Sequence, residues 1–340
     1  MFRLLKWLLI FMSVRFAPDD ALADDLRLGP FEKPQPKELS VPRGAMRFDV
    51  REALHGSFSS PEQCAKVPDG LWVEADGGGD CIRYYAAGLD EDGASKILVY
   101  FSGDVILRTS GGMRFISASY GEQSPDGILA DMARWSGQAG LPAIYVARPG
   151  TFGSSGSHAM RRHPREVALL DGALDLLKDR YGISSFILAG QSGGGHIVAS
   201  LLNRRRDVAA AVISSGLVSV RQVTDYWDRR RKVPDWFLYD VKAYYDPIGE
   251  VDRIRKDSPP QIYVISDPED HVVPFASQLR YVRRLRAAGF SPQHVYAHAP
   301  DANRHALARN ARLAAAMIAR GMATKDIRRA LEEIDLEQIE

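Results

Sequence analysis

The run Phe186-Ile187-Leu188-Ala189-Gly190-Gln191-Ser192-Gly193-Gly194-Gly195 is an apolar strand leading straight into a serine crowded by glycines. Few chain paths accept that order. In G-x-S-x-G the serine is held on a tight strand-to-helix turn with strained backbone angles, so its Oγ stands clear of both elements. Gly190 and Gly194, two residues to either side, leave room for strand and helix to meet, and Gly193 offers a free N–H beside the hydroxyl. Ile197, Val198, Leu201 and Leu202 follow at helical spacing. The stretch predicts a buried strand, a nucleophile elbow at Ser192 and a helix.

The same rhythm extends along the chain after residue 93. Lys96 to Phe101, Pro142 to Ala147, Ser185 to Ala189, Val208 to Ser214, Gln261 to Ile265 and Gln293 to Ala297 are short apolar runs suited to a sheet covered on both faces. Helical spacing lies between them, in Val167, Leu170, Leu174, Leu177 and Tyr181, and in Phe275, Leu279, Val282 and Leu285. This alternation predicts an α/β fold with a doubly wound, mainly parallel sheet. Before it, Gly70 to Glu74 and Cys81 to Ala86 flank a Gly/Asp turn and read as a β-hairpin. The segment from Asp24 to Ser40 is rich in proline and reads as an irregular lead-in. The connection 215–260 is too long for the rhythm and carries Tyr226, Trp227, Trp236, Phe237, Tyr239, Tyr244 and Tyr245, which suggests either a lid-like insertion or a helical excursion burying its rings. The expected organisation is thus an extension with hairpin over 24–92, a main domain over 93–321 and a C-terminal helix over 322–340.

With 340 residues, 45% of them hydrophobic, the chain can bury a large core. Its net charge of +1 offers no bulk attraction to nucleic acid or to an anionic membrane surface. At the N-terminus, Arg3 and Lys6 precede the apolar run Trp7 to Val14, and Ala21-Leu22-Ala23 has the small-x-small pattern of a cleavage site. Residues 1–23 therefore read as an export signal, too short in its apolar core for a permanent membrane span. Cys64 and Cys81, an even count in a loop-rich stretch, are expected to form a disulfide in an oxidising compartment.

A serine hydroxyl is a weak nucleophile at neutral pH and needs a base, itself oriented by a third group. Ser266-Asp267-Pro268-Glu269-Asp270-His271-Val272-Val273-Pro274 follows an apolar strand and is the place for an acid. Asp301-Ala302-Asn303-Arg304-His305 lies between the last strand and the helix Ala308 to Ala319, and is the place for a base. With these in view the chain resembles the α/β-hydrolase superfamily over roughly 93–321, in the chain order Ser, Asp, His. The resemblance implies a D-x-x-V-P-like loop that selects Asp270 over Asp267 and Glu269, and a histidine after the final strand that selects His305 over His298. It also implies an oxyanion hole made by backbone N–H groups of Gly193 and of the segment Ser102-Gly103-Asp104. That segment stands where the family often has His-Gly-x. The donor would be Asp104 or, second, Gly103, with the Asp104 carboxylate turned away or paired. Ala147 to Ser155 resembles the family's R-G-x-G-x-S segment and is expected to shape a loop beside the site.

The catalytic set expected is Ser192, His305 and Asp270, in an exported enzyme that cleaves an ester, or secondarily an amide, with no cofactor and no metal. A peptidase or acyltransferase would use the same triad, and a silent hydrolase fold would serve as a binding protein. His196 is read as a packed or solvent-facing histidine, and His158, in a Gly/Ser turn, as an exposed one. Substrate identity and oligomeric state have no reading in the sequence.

Overall fold

The structure, a computed structural model, describes residues 27–89, 94–230 and 240–337. The expected export signal over 1–23, and Trp236, Phe237 and Tyr239 of the long connection, lie outside the described residues.

Eight strands make one sheet: β1 (Gly70–Ala75), β2 (Gly78–Ala87), β3 (Lys96–Phe101), β4 (Ala143–Val146), β5 (Ser185–Gln191), β6 (Val208–Ser214), β7 (Gln261–Ser266) and β8 (Gln293–Tyr296). Their spatial order is β1-β2-β4-β3-β5-β6-β7-β8. From β4 to β8 every neighbouring pair is parallel, whereas β2 runs antiparallel to both β1 and β4. The predicted hairpin is therefore the edge of the main sheet, continuous with it rather than set apart. Its turn is Asp76-Gly77, both left-handed at φ 49° and 78°, the geometry that matches strand twist in a two-residue hairpin.

Strand alternation gives the sheet two apolar faces. On one face Leu98, Tyr100, Ile187 and Ala189 pack with α1 (Pro125–Ala139), α6 (Ala308–Ala319) and α7 (Thr324–Glu337). On the other, Ile97, Val99, Phe101, Phe186 and Leu188 pack with α2 (Pro164–Tyr181), α3 (Gly193–Arg204) and α5 (Phe275–Ala287). The reversal of strand order falls at β3, between β4 and β5. A crevice at the carboxyl ends of the strands opens at such a switch point, and that is where ligands of doubly wound sheets bind.

Two features depart from the sequence reading. Helix α1 was not expected, although Ser124 caps it by accepting from Gly127 N at 3.2 Å, Pro125 opens it, and Gly140 closes it at φ 68°. The segment between β3 and α1 forms a small hairpin, Ile106–Arg108 against Arg114–Ile116, which also pairs with Arg27–Leu28 of the lead-in. Strands of two or three residues are too short to carry a readable alternation. Among the described residues the connection after β6 holds one short helix, α4 (Val220–Asp228), and 3-10 turns at Val241–Ala243 and Pro247–Arg253. Cys64 and Cys81 are joined in a disulfide, with Cα atoms 5.4 Å apart, which ties β2 to the short helix Pro61–Cys64 before β1.

Candidate active site

Ser192 is the N-cap of α3, at φ 57° and ψ −117°. A side chain other than glycine's rarely takes that conformation, and the surroundings enforce it. Its N–H donates to Ser214 O at 3.0 Å, and its carbonyl accepts from Leu217 N and His196 N, both at 3.1 Å. The close of β3 lies directly beneath, so a Cβ at Gly194 would overlap Phe101 O. Positive φ recurs nearby at Phe152 and Arg162, which share a cavity with Ser192, and at Ser215 and Arg304, which adjoin site residues in sequence. Strained backbone is thus concentrated at the carboxyl edge of the sheet.

Asp270 and His305 are brought together from loops after β7 and β8. His305 Nδ1 donates to Asp270, 2.9 Å from Oδ2 and 3.0 Å from Oδ1. The carboxylate is fixed in turn: Oδ1 accepts from Val272 N and Val273 N, each at 2.8 Å, and the side chain is fully buried. Gln191, beside Ser192, donates to His305 O at 3.1 Å. With Nδ1 committed, Nε2 of His305 is the nitrogen available to a hydroxyl. Ser192 and His305 line one cavity, and no hydrogen bond joins them among the described residues. Such contacts are commonly loose in the absence of substrate.

The rival residues have other work. Asp267 is buried, accepts from Ala299 N at 2.8 Å and pairs with Arg304 Nε at 2.9 Å, which shapes the loop that presents His305. His298 is exposed and bonded to Arg304. His196 is buried behind the elbow, its Nε2 donating to Tyr245 O at 2.9 Å.

The partners of Asp104 are the main finding that sequence reasoning missed. Its Oδ1 accepts from Arg148 Nη1 at 2.8 Å, and its Oδ2 from Arg161 Nε at 3.0 Å and from Arg162 Nη2. Glu166 of α2 anchors the cage, accepting from Arg148 Nε at 2.9 Å and from Arg162 N at 2.6 Å. Burial alone would raise the carboxyl, yet Arg162, Arg161 and Arg148 hold it well below the usual carboxylate range. The expected pairing of this carboxylate is therefore present, with three arginines. His158 closes the ring. It is buried rather than exposed as the Gly/Ser turn suggested, and burial followed by Arg148 pushes its imidazole well below the ordinary value. Neutral, it accepts from Val105 N at 3.3 Å and so holds the chain just past Asp104.

The backbone N–H groups of Gly103, Asp104 and Gly193 have no protein partner among the described residues. The segment 147–155 shapes the loop beside them. Ser155 Oγ accepts from Cys81 N at 2.8 Å and Ser154 Oγ from Arg83 N at 2.9 Å, locking it to β2, while Arg148 reaches the cage. Arg148 could have been singled out from the R-G-x-G-x-S likeness. Arg161 and Arg162 had no signal, because their partner lies more than fifty residues away.

The cavity over these groups has a volume of about 800 Å³. One wall is the unpredicted excursion, with Val105, Ile106, Phe115 and Tyr120; the opposite wall takes Leu217, Val223, Trp227 and Tyr244 from the connection after β6. That connection divides its aromatics, since Trp227 and Tyr244 face the cavity while Tyr245 packs against His196. Among the described residues no cluster of three or more His, Cys, Asp and Glu could hold a metal ion.

No protein-family model matches the chain, and no curated protein matches it. Solved structures do. A puromycin hydrolase aligns at TM-score 0.52 and 16% identity, over 78% of this chain and 41% of its own. An esterase of Pyrococcus furiosus aligns at 0.47 and 10%, over 76% and 89%, and an acylaminoacyl peptidase of Pyrococcus horikoshii at 0.46 and 13%, over 67% and 36%. The chain thus spans little more than a third of the peptidase's length. Identities this low speak for architecture alone. Joined to the strand order, the antiparallel β2 and the serine elbow after β5, the likeness to the puromycin hydrolase makes this chain an α/β-hydrolase-fold protein.

Proposed function

We propose that the protein is a serine hydrolase that cleaves carboxylic esters through an acyl-enzyme on Ser192. The observation that carries the reading is the His305–Asp270 hydrogen bond, aimed into the same cavity as a serine held at φ 57°. Asp270 keeps the proton of His305 on Nδ1, leaving Nε2 to accept the Ser192 proton as Oγ attacks the ester carbonyl. The tetrahedral oxyanion takes hydrogen bonds from the N–H groups of Gly193 and of Asp104 or Gly103. His305 then returns the proton to the departing alkoxide, and the C–O bond breaks to leave the acyl group on Oγ. Water attacks that acyl group with the same base, and carboxylate and free serine result.

The described parts of the connection 215–260, through Leu217, Val223, Trp227 and Tyr244, are read as a lid over this cavity. Export in an oxidising compartment is consistent with the Cys64–Cys81 disulfide, and no helix among the described residues is long and apolar enough to cross a membrane. Fluorophosphonate labelling of the purified chain, followed by turnover of matched aryl esters and anilides, tests the function. Labelling lost in Ser192→Ala with esters preferred over amides is the expected result. Labelling unchanged in that variant would remove Ser192 from the chemistry, and an inert wild type would leave the fold as a binding protein.

A further inference from the structure

Tyr100 stands on β3 opposite Ala189 of β5, three residues before Ser192 and so about 10 Å down the strand from it. Its side chain is 7% exposed and lines the same cavity as the elbow. Unlike Tyr145, whose hydroxyl meets Ser102 Oγ at 2.7 Å, the Tyr100 hydroxyl has no hydrogen-bond partner among the described residues. Nor is its oxygen among the closed-off polar atoms of the interior, which leaves the cavity as the side it opens to. A phenylalanine would fill the same space without presenting a hydroxyl to the cavity. Arg312 of α6 lines the cavity beside it, with its guanidinium carbon 5.6 Å from the Tyr100 ring centre. Asp131 lies 3.9 Å from Arg312 Nη1 and is more tightly paired with Arg134. Ile128, Met132 and Tyr145 line the intervening wall.

Resting on the serine-hydrolase reading, we infer that Tyr100 and Arg312 form a specificity subsite for an ester with an apolar arm that ends in a hydrogen-bond acceptor. Both groups donate, so a distal carbonyl or carboxylate suits them and a plain alkyl end does not. An arm that ends in hydrocarbon leaves the phenol unpaired, whereas an acceptor pairs it, which is the asymmetry from which discrimination comes.

The test compares hexanoyl, 5-oxohexanoyl and adipoyl monoesters of one phenol, with a matched set carrying the same groups on the alcohol side. In the wild type, at least one set is turned over about tenfold faster, in kcat/KM, when the acceptor is present. Tyr100→Phe abolishes that ratio for both acceptors. Arg312→Gln lowers it for the carboxylate alone. Equilibrium binding of hexanoate, 5-oxohexanoate and adipate to Ser192→Ala gives the same comparison without chemistry. If esters are not cleaved but this binding preference remains and depends on Tyr100, the hydrolase reading fails and the subsite stands. Equal turnover and equal binding of all three compounds, or a preference untouched by Tyr100→Phe, would overturn the subsite.

Discussion

The carboxylate of Asp104 lies against the Cα of Gly193, so close that a Cβ there would overlap Asp104 Oδ1 and come within 2.6 Å of Arg148 Nη1. Two of the proposed oxyanion donors, one after β3 and one opening α3, are therefore in register through a carboxylate locked by three arginines. The arrangement resolves the difficulty of an acidic residue beside a developing negative charge, because the local sum over Asp104, Glu166 and the three guanidiniums is positive. Gly193→Ala should lower kcat by about a hundredfold or more, with a much smaller change in KM, as expected when a donor moves off the transition state. Asp104→Ala leaves buried guanidiniums without their carboxylate and should lose about 3–5 kcal/mol of stability. Steady-state kinetics and urea unfolding read the two effects separately; wild-type kcat in Gly193→Ala would dismiss the register argument.

The choice of base has an equally direct test. His305→Ala should lose activity by several orders of magnitude, as should Asp270→Asn, which upsets the imidazole tautomer. His298→Ala should keep most of it, because that ring is exposed and bonded to Arg304 rather than to Asp270. An inactive His298→Ala beside an active His305→Ala would transfer the base to the other histidine and leave the His305–Asp270 bond without a catalytic role.

Much of this arrangement was legible because it is local. The helix Ala308–Ala319 and the strands Lys96–Phe101 and Val208–Ser214 have the limits their apolar spacing indicates. The loops holding Asp270 and His305 sit after β7 and β8, where polar residues interrupt apolar runs. What stayed hidden depends on distant partners. His158 sits in a Gly/Ser turn that reads as surface, yet its ring is enclosed by arginines and by Val105. The cavity wall from Val105 to Tyr120 is built by three-residue strands, although Thr109-Ser110-Gly111-Gly112 between apolar residues was a usable turn signal. Helix α1 also announced itself through Ser124-Pro125 and the spacing of Ile128, Met132 and Trp135.

Buried histidines give the fold an acid limit. Burial pushes His196 down to about 4 from the ordinary 6.5, and His158 moves the same way. Below pH 6.5 the unfolded chain takes up protons that these neutral rings refuse, so stability is full above 6.5 and falls as pH drops toward 4. Each histidine contributes a slope of about 1.4 kcal/mol per pH unit, or roughly 3 kcal/mol across the window for His196. Asp104 acts in a lower window, because its depressed carboxyl loses its contribution only as pH falls below the ordinary 3.8. Urea unfolding at pH 7.5, 6 and 5 should show the decline, and His196→Gln, which can still donate to Tyr245 O, should remove about one proton from the slope. A pH-independent wild type across that range would contradict the neutral, buried assignment.

Trp227 tests whether the connection after β6 selects substrates or merely packs. Its indole Nε1 donates to Val272 O at 2.9 Å, and the ring lines the cavity beside Val223 and Tyr244. Val272 is two residues from Asp270, so the bond links the proposed lid to the loop that orients the base. Trp227→Ala widens the cavity and releases that bond, whereas Trp227→Phe keeps a ring and releases only the bond. The expected result for the alanine variant is a shift of about tenfold or more in the kcat/KM ratio between long and short acyl esters. Stability should fall by only about 1–3 kcal/mol, since the ring is half-buried. Trp227→Phe should keep the acyl-length profile and lose a few-fold in kcat for all esters alike. If Trp227→Ala keeps the parent profile, the segment is a wall of the fold and the lid proposal fails.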